Sequence, residues 1–205
     1  MNRTDAHFAD EAFADEAFDE RDLSEAVFTR CTFSRCRFAQ ARLSEAHVQG
    51  CRFEECDFVN TRLNAARFVA ASFSGTTFRG ANLFLARFEG CRLLGVTFSD
   101  CDMGGLAATG GDWSYLIARH QSLEGVDLRG VRLAEADLYG ANLQKADLRA
   151  ADLSRANLQK AQLSWADLRG AILTGVDLSV LDLKNVRLDM AQAVLLARCL
   201  GAKVD

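Results

Sequence analysis

The chain has 205 residues, a formal net charge of −4, seven cysteines and no proline. Its length allows one or two domains, and an acidic balance without a basic stripe excludes direct nucleic-acid binding as the expected role. No apolar run reaches membrane-spanning length and the start is unlike a signal peptide, so a soluble, cytoplasmic protein is expected.

A five-residue period begins at Phe8 and runs to Leu188. Of its 37 centres, 35 hold Phe, Leu, Val, Met or Trp, the exceptions being Ala108 and Ala118. Two residues before each centre lies a second set, and between 26 and 186 it is Ala, Cys, Thr or Val at 28 of 33 positions. An α-helix advances about 100° per residue, so five residues precess about 140° and form no stripe. In extended chain, residues two apart share a face, and the small and large residues of each quintet point inward together. Five is odd, so each unit must turn once to keep facing inward, and the residues after the centre are where it can. A fixed short period of this kind marks a solenoid. In the first half, Leu23, Leu43, Leu63, Leu83 and Met103 interrupt the Phe centres every 20 residues, which predicts four units per turn and a square coil.

Taken along the chain, residues 1–25 carry nine acids against Arg3 and Arg21 and read as a solvated end that blocks aggregation. The inward slots there are Glu11, Glu16 and Arg21, so an imperfect first coil is expected. Cys31, Cys36, Cys51, Cys56, Cys91 and Cys101 fall on the small inward position and read as buried apolar residues rather than a disulfide framework or a zinc site. Phe84 and Leu85 occupy outward slots, as do Leu94, Tyr139 and Trp165, and are candidate surface contacts. Residues 104–122 depart from the pattern, with two Gly pairs, undersized centres and misplaced large residues. They are either a degenerate coil that still stacks or a bulge that projects Trp113, Tyr115, Arg119 and His120 toward a partner. From 123 onward every centre is Leu, and Asp127 to Asp182 recur in an outward slot where a short polar side chain can bond nearby backbone. Asp189 is placed to cap a helix over Met190–Leu200 that stops at Gly201. That helix is apolar on more than one face, which predicts a two-fold interface built from Met190, Val194, Leu195, Leu196, Leu200 and Val204. The expected organisation is a β-helix over 1–188, with its irregular coil at 104–122, and a capping and dimerisation segment over 189–205. No phosphate loop, nucleophile elbow or metal-ligand cluster is found, so neither catalysis nor a cofactor is expected.

The motif Ala-Asp-Leu, at Ala136-Asp137-Leu138, Ala146-Asp147-Leu148, Ala151-Asp152-Leu153 and Ala166-Asp167-Leu168, resembles the pentapeptide-repeat family. The resemblance covers residues 6 to 188 and implies an all-β, right-handed quadrilateral β-helix of about nine coils with a short C-terminal α-helix. The order of parts is further similar to the Qnr and MfpA type: an aromatic-bearing interruption at Gly110-Gly111-Asp112-Trp113-Ser114-Tyr115, then perfect repeats, then the segment from Met190. That likeness implies a head-to-head homodimer that imitates duplex DNA. It also implies binding to DNA gyrase or topoisomerase IV, with protection from fluoroquinolone- or albicidin-type poisons. The unbroken five-residue count leans toward members without long projecting loops. Nine coils at about 4.8 Å each give a rod of about 45 Å, or about 90 Å as a dimer. Duplex DNA as long as one protomer would carry on the order of 25 negative charges, far more than this chain. A non-catalytic structural or regulatory scaffold for another protein is the alternative.

Overall fold

In the computed structural model, which describes residues 6–204, each quintet forms one side of a square tube. The expectations that touch Arg3, Asp5 and Asp205 lie outside the described residues. The corner falls on the residue two after each centre, and from Asp10 through Asn185 these residues take φ near +50 to +67° or are glycine, except Val180, which lies in a 3-10 turn. This left-handed conformation is the one turn per unit that an odd period demands. On many sides the corner is closed by an i to i+3 bond, such as Ala26 N–H to the Leu23 carbonyl at 3.1 Å.

Pairing is parallel and strictly 20 residues apart. His7 pairs with Val27, Val27 with His47, and the column continues through Arg67, Arg87, Ala107, Asp127, Asp147 and Asp167 to Arg187. Parallel crossovers of L-residues are right-handed. Three-residue strands, from His7–Ala9 to Ala107–Thr109, line only about five turns and form sheets of six, five and two strands. Beyond them the same ladder continues as single bridges, so the nine-coil count expected from the period is strand-rich only in its first half. The four faces are named here by their first centres: first (Phe8), second (Phe13), third (Phe18) and fourth (Leu23).

Inside, the phenylalanines stack at the strand spacing. Phe38 and Phe58 lie 4.7 Å apart and 1° from parallel, while Phe53 meets Phe58 edge-on at 5.6 Å. Each ring adds about 0.5–1.5 kcal/mol to its area burial through such contacts. Cys31 and Cys51 stack without bonding, the Cys31 N–H donating to Cys51 Sγ at 3.3 Å. Burial pushes the Cys51 thiol up to about 11 and Cys56 up to about 12, which makes both inert toward oxidation. Thr61 enters the small slot by donating its hydroxyl to the Phe38 carbonyl at 2.7 Å. At the N-terminal end Glu11, Glu16 and Arg21 are exposed in slots that later coils bury, and Phe8 and Phe13 are only half-covered.

Residues 104–122 do not project. They form a coil in register, with Leu93 N–H bonded to the Asp112 carbonyl and Trp113 N–H to the Arg132 carbonyl. The oddity is an exchange of sizes. Leu106 and Leu116 fill the small slots while Ala108 and Ala118 take the centres, and all four are buried. Gly111 empties the slot beside Trp113, whose indole is 1% exposed and packs edge-on to Phe88 at 5.4 Å. Large and small have traded places within one coil, and the interior volume stays filled. Gln121 completes the coil by bonding both the N–H (3.0 Å) and the carbonyl (2.7 Å) of Cys101.

The end is closed by a 3-10 turn at Leu178–Val180 and by helix α1, Met190–Cys199. Asp189 and Gln192 form a reciprocal capping box. The second Asp189 oxygen accepts the Gly170 N–H at 2.7 Å, and Gln192 Nε2 donates to the Leu168 and Ala171 carbonyls. These bonds pin the first turn of α1 onto the last coils. They also hold the Asp189 carboxyl below the usual carboxylate range, the Gln192 N–H first and the Gly170 N–H second.

Candidate functional site

With the interior sealed, any function lies on the outward residues, and the register sorts them. Tyr115 stands on the edge between the second and third faces, its hydroxyl 3.4 Å from Glu135 Oε1. Arg119 and His120 lie next to it on the third face. The Arg119 guanidinium sits 4.9 Å over the Tyr139 ring and pairs with Asp137 at 3.6 Å, and His120 meets Tyr139 edge-on at 5.4 Å. Arg119 and His120 therefore form one exposed cluster on Tyr139, with Tyr115 at the far edge of the same face. Trp113 belongs to the core and is removed from the set expected to contact a partner. Removing residues 106–120 would delete three sides of a coil and shift every later face, so that segment is no separable loop.

Phe84 and Leu85 are exposed on the fourth face, where they lie down over Gly104 and Gly105. A Cβ at Gly104 would come within 3.1 Å of the Phe84 ring, and one at Gly105 within 2.7 Å of Leu85. Leu85 shares its edge with Gly105, Gly125, Lys145 and Trp165, the edge diagonally opposite Tyr115. The structure thus does not bring the two aromatic groups together. At the C-terminal end Met190 is 80% exposed and Leu200 is also open, while Val194, Leu195, Leu196 and Val204 are half-buried. Under them Leu181, Leu183, Val186 and Leu188 are only half-covered, unlike every leucine centre from 123 to 178.

Acids and bases are interleaved on every face. Asp10 is chelated by Arg30, Asp15 by Arg35, and Glu89 by Arg67. On the first face Asp127, Asp147 and Asp167 form one column and Arg129, Arg149 and Arg169 another, each arginine gripping the aspartate two residues before it. Arg169 holds the Asp167 carboxyl down to about 2, so this ladder stays ionised at any ordinary pH. The carboxylates sit low and the guanidiniums stand above them. Along this ladder the arginines are therefore more exposed than the aspartates they hold, although its two columns sum to neutral. The triplet Asp-Leu-Arg recurs at 127, 147 and 167 in the sequence, but the relative exposure of its charges is set by the fold.

A family description, "Pentapeptide repeat region", matches residues 26–105, and "Pentapeptide repeats (8 copies)" matches 122–159 and 161–193. The chain belongs to the pentapeptide-repeat family. The unmatched stretch 106–121 is the coil whose sizes are exchanged. Among solved structures the chain is similar to QnrB1, described as a plasmid-mediated fluoroquinolone resistance protein. One trypsin-treated point variant of QnrB1 is 28% identical, covers 98% of this chain and 100% of its own, and superposes with a TM-score of 0.88. A second trypsin-treated point variant is 27% identical, covers 97% and 99%, and gives 0.86. The chain is also similar to HetL of the cyanobacterium Nostoc sp. strain PCC 7120, described as involved in heterocyst differentiation regulation. That structure is 27% identical, covers 91% and 89%, and gives a TM-score of 0.56. None of the curated proteins matches the chain. This is a pentapeptide-repeat scaffold of the Qnr type.

No described helix is long and apolar enough to cross a membrane, and the described residues hold no cluster of metal-ligating side chains.

Proposed function

We propose that this protein is a cytoplasmic, non-catalytic homodimer that binds DNA gyrase or topoisomerase IV and protects it from fluoroquinolone- or albicidin-type poisons. The observation that carries this reading is the end-to-end likeness to QnrB1, which spans 98% of this chain and all of that one at a TM-score of 0.88. A straight rod of about 45 Å per protomer has the reach to occupy a duplex-binding saddle. Imitation of DNA rests here on shape, because every face interleaves its acids with arginine. The cluster of Arg119 and His120, with Tyr115 at the far edge of its face, would supply specific contacts beside the rod. A gyrase supercoiling assay with ciprofloxacin, run with and without excess purified protein, is the test. Rescue of supercoiling is expected, and unchanged inhibition at a tenfold excess would sink the reading.

Dimerisation through α1 and the half-covered leucines beneath it is part of the proposal. Truncation after Leu188 should convert the sedimentation profile from dimer to monomer, or to aggregates at the bared end. A full-length chain that sediments as a monomer at micromolar concentration would count against it. The likeness to HetL supports a second reading, a regulatory scaffold for another protein. Capture of gyrase subunits from bacterial lysate favours the first, and their absence alongside a different captured protein favours the second.

A further inference from the structure

Between the edge that carries Lys145 and Trp165 and the column that carries Arg149 and Arg169 runs an open groove of about 480 Å³, with Arg187 at its far end. Its carboxylates, Asp147 and Asp167, are already committed. Arg149 Nε donates to Asp147 Oδ1 at 2.9 Å and its terminal nitrogen to Oδ2 at 2.6 Å, and Arg169 holds Asp167 in the same way. The carboxylate side chains are 28% and 14% exposed, against 43%, 48% and 69% for Arg149, Arg169 and Arg187. A guanidinium has five N–H donors, so Arg149 and Arg169 each keep unspent donors above a neutralised floor. Arg187 makes only a long ion pair with Asp167, at 3.8 Å. Lys145 extends the cationic wall and is tethered by Glu124 at 2.7 Å.

Trp165 is the independent observation. It is 63% exposed and sits at a corner with φ +67°, where Gly105 and Gly125 occupy the same column. The non-glycine corners share this conformation, so what sets Trp165 apart is its exposure, with most of a large indole open to water. An exposed apolar plate beside four cations is a poor solution for stability and a good one for recognition.

We propose that this groove binds a short acidic peptide segment, with carboxylates on Arg149, Arg169 and Arg187 and an apolar residue against Trp165. A carboxylate suits a guanidinium because the two pair in a planar, two-point fashion. The groove spans about two coil steps, on the order of 10 Å, which an extended chain covers in about three residues. A nucleic-acid strand would need a longer basic track, whereas the arginine column runs only one coil further, to Arg129, and then meets Thr109 and Glu89.

The test uses the full chain and a fluorescein-labelled peptide, acetyl-Glu-Leu-Glu-Glu-Leu-Glu-amide, followed by anisotropy at low and high salt. It needs no topoisomerase, so its outcome is independent of the reading above. Saturable binding that weakens at high salt is expected, with a loss of about tenfold for Arg187→Gln and for Trp165→Gly. Arg187→Gln leaves both aspartate–arginine chelates intact, and Trp165→Gly relieves a strained corner, so neither variant should unfold. Absence of saturation at millimolar peptide, or affinity unchanged in both variants, overturns the proposal. A six-nucleotide oligo-dT that binds more tightly than the peptide also overturns it, in favour of a phosphate-binding site.

Discussion

Replacing Trp113 with alanine is expected to lower stability by about 4 kcal/mol, because a buried indole leaves a cavity that a stacked coil cannot collapse. The flanking centres, Ala108 and Ala118, are too small to fill it, and the coils on either side are held by backbone bonds at fixed spacing. A sharper measurement exploits the exchange of sizes. Swapping Leu116 and Ala118, as Leu116→Ala/Ala118→Leu, places a large centre against the indole and should cost about 1–3 kcal/mol by overpacking. The same swap made together with Trp113→Leu should cost far less, since the coil then returns to the sizes of its neighbours. Denaturation midpoints of the wild type, Trp113→Leu alone, the swap alone and their combination give the coupling directly, and strict additivity would mean that the indole and Ala118 do not share one space. Trp113 Nε1 is buried without a hydrogen-bond partner, so the residue is kept for its volume and not for its donor.

Gly111→Ala is expected to cost about 3 kcal/mol or more, the second large effect. A Cβ there would lie 2.2 Å from the Cys91 carbonyl oxygen and 2.9 Å from its nitrogen, and φ is +93°. The carbonyl cannot retreat, because it accepts the Asp112 N–H at 3.0 Å and belongs to the ladder. Gly110→Ala is the control. Its φ is +62°, as at a typical corner, and a Cβ would meet nothing within 4 Å, so about 1 kcal/mol is expected. Thermal midpoints that fall equally for both variants would show that the close approach at Gly111 is unimportant.

The two glycines differ in how far their cause lies along the chain. Gly110 occupies the fifth-residue corner and needs left-handed backbone for the same reason as Asp10 or Tyr115. Gly111 is required because it takes φ +93° away from the corners and presses against a carbonyl 20 residues earlier, features that no local pattern announces. Gln192 makes the same point. It is a polar residue in an apolar helix, yet it is buried as a plug for the Leu168 and Ala171 carbonyls. By contrast Asp189 at the helix start was legible, because capping is satisfied within three residues.

Periodicity alone determined that side chains two apart line the inside, that each quintet bends once, and that Leu23, Leu43 and Leu63 stack. An odd repeat in extended backbone leaves no other way to keep its large residues dry. Tertiary structure decided the rest. Whether Trp113 points in or out depends on the volumes of Ala108, Leu116 and Ala118 around it, which is a sum over one coil and not a property of its own quintet. Whether a face is acidic depends on which member of each aspartate–arginine pair stands higher, and height above the tube is set by side-chain length and hydrogen bonding rather than by charge count.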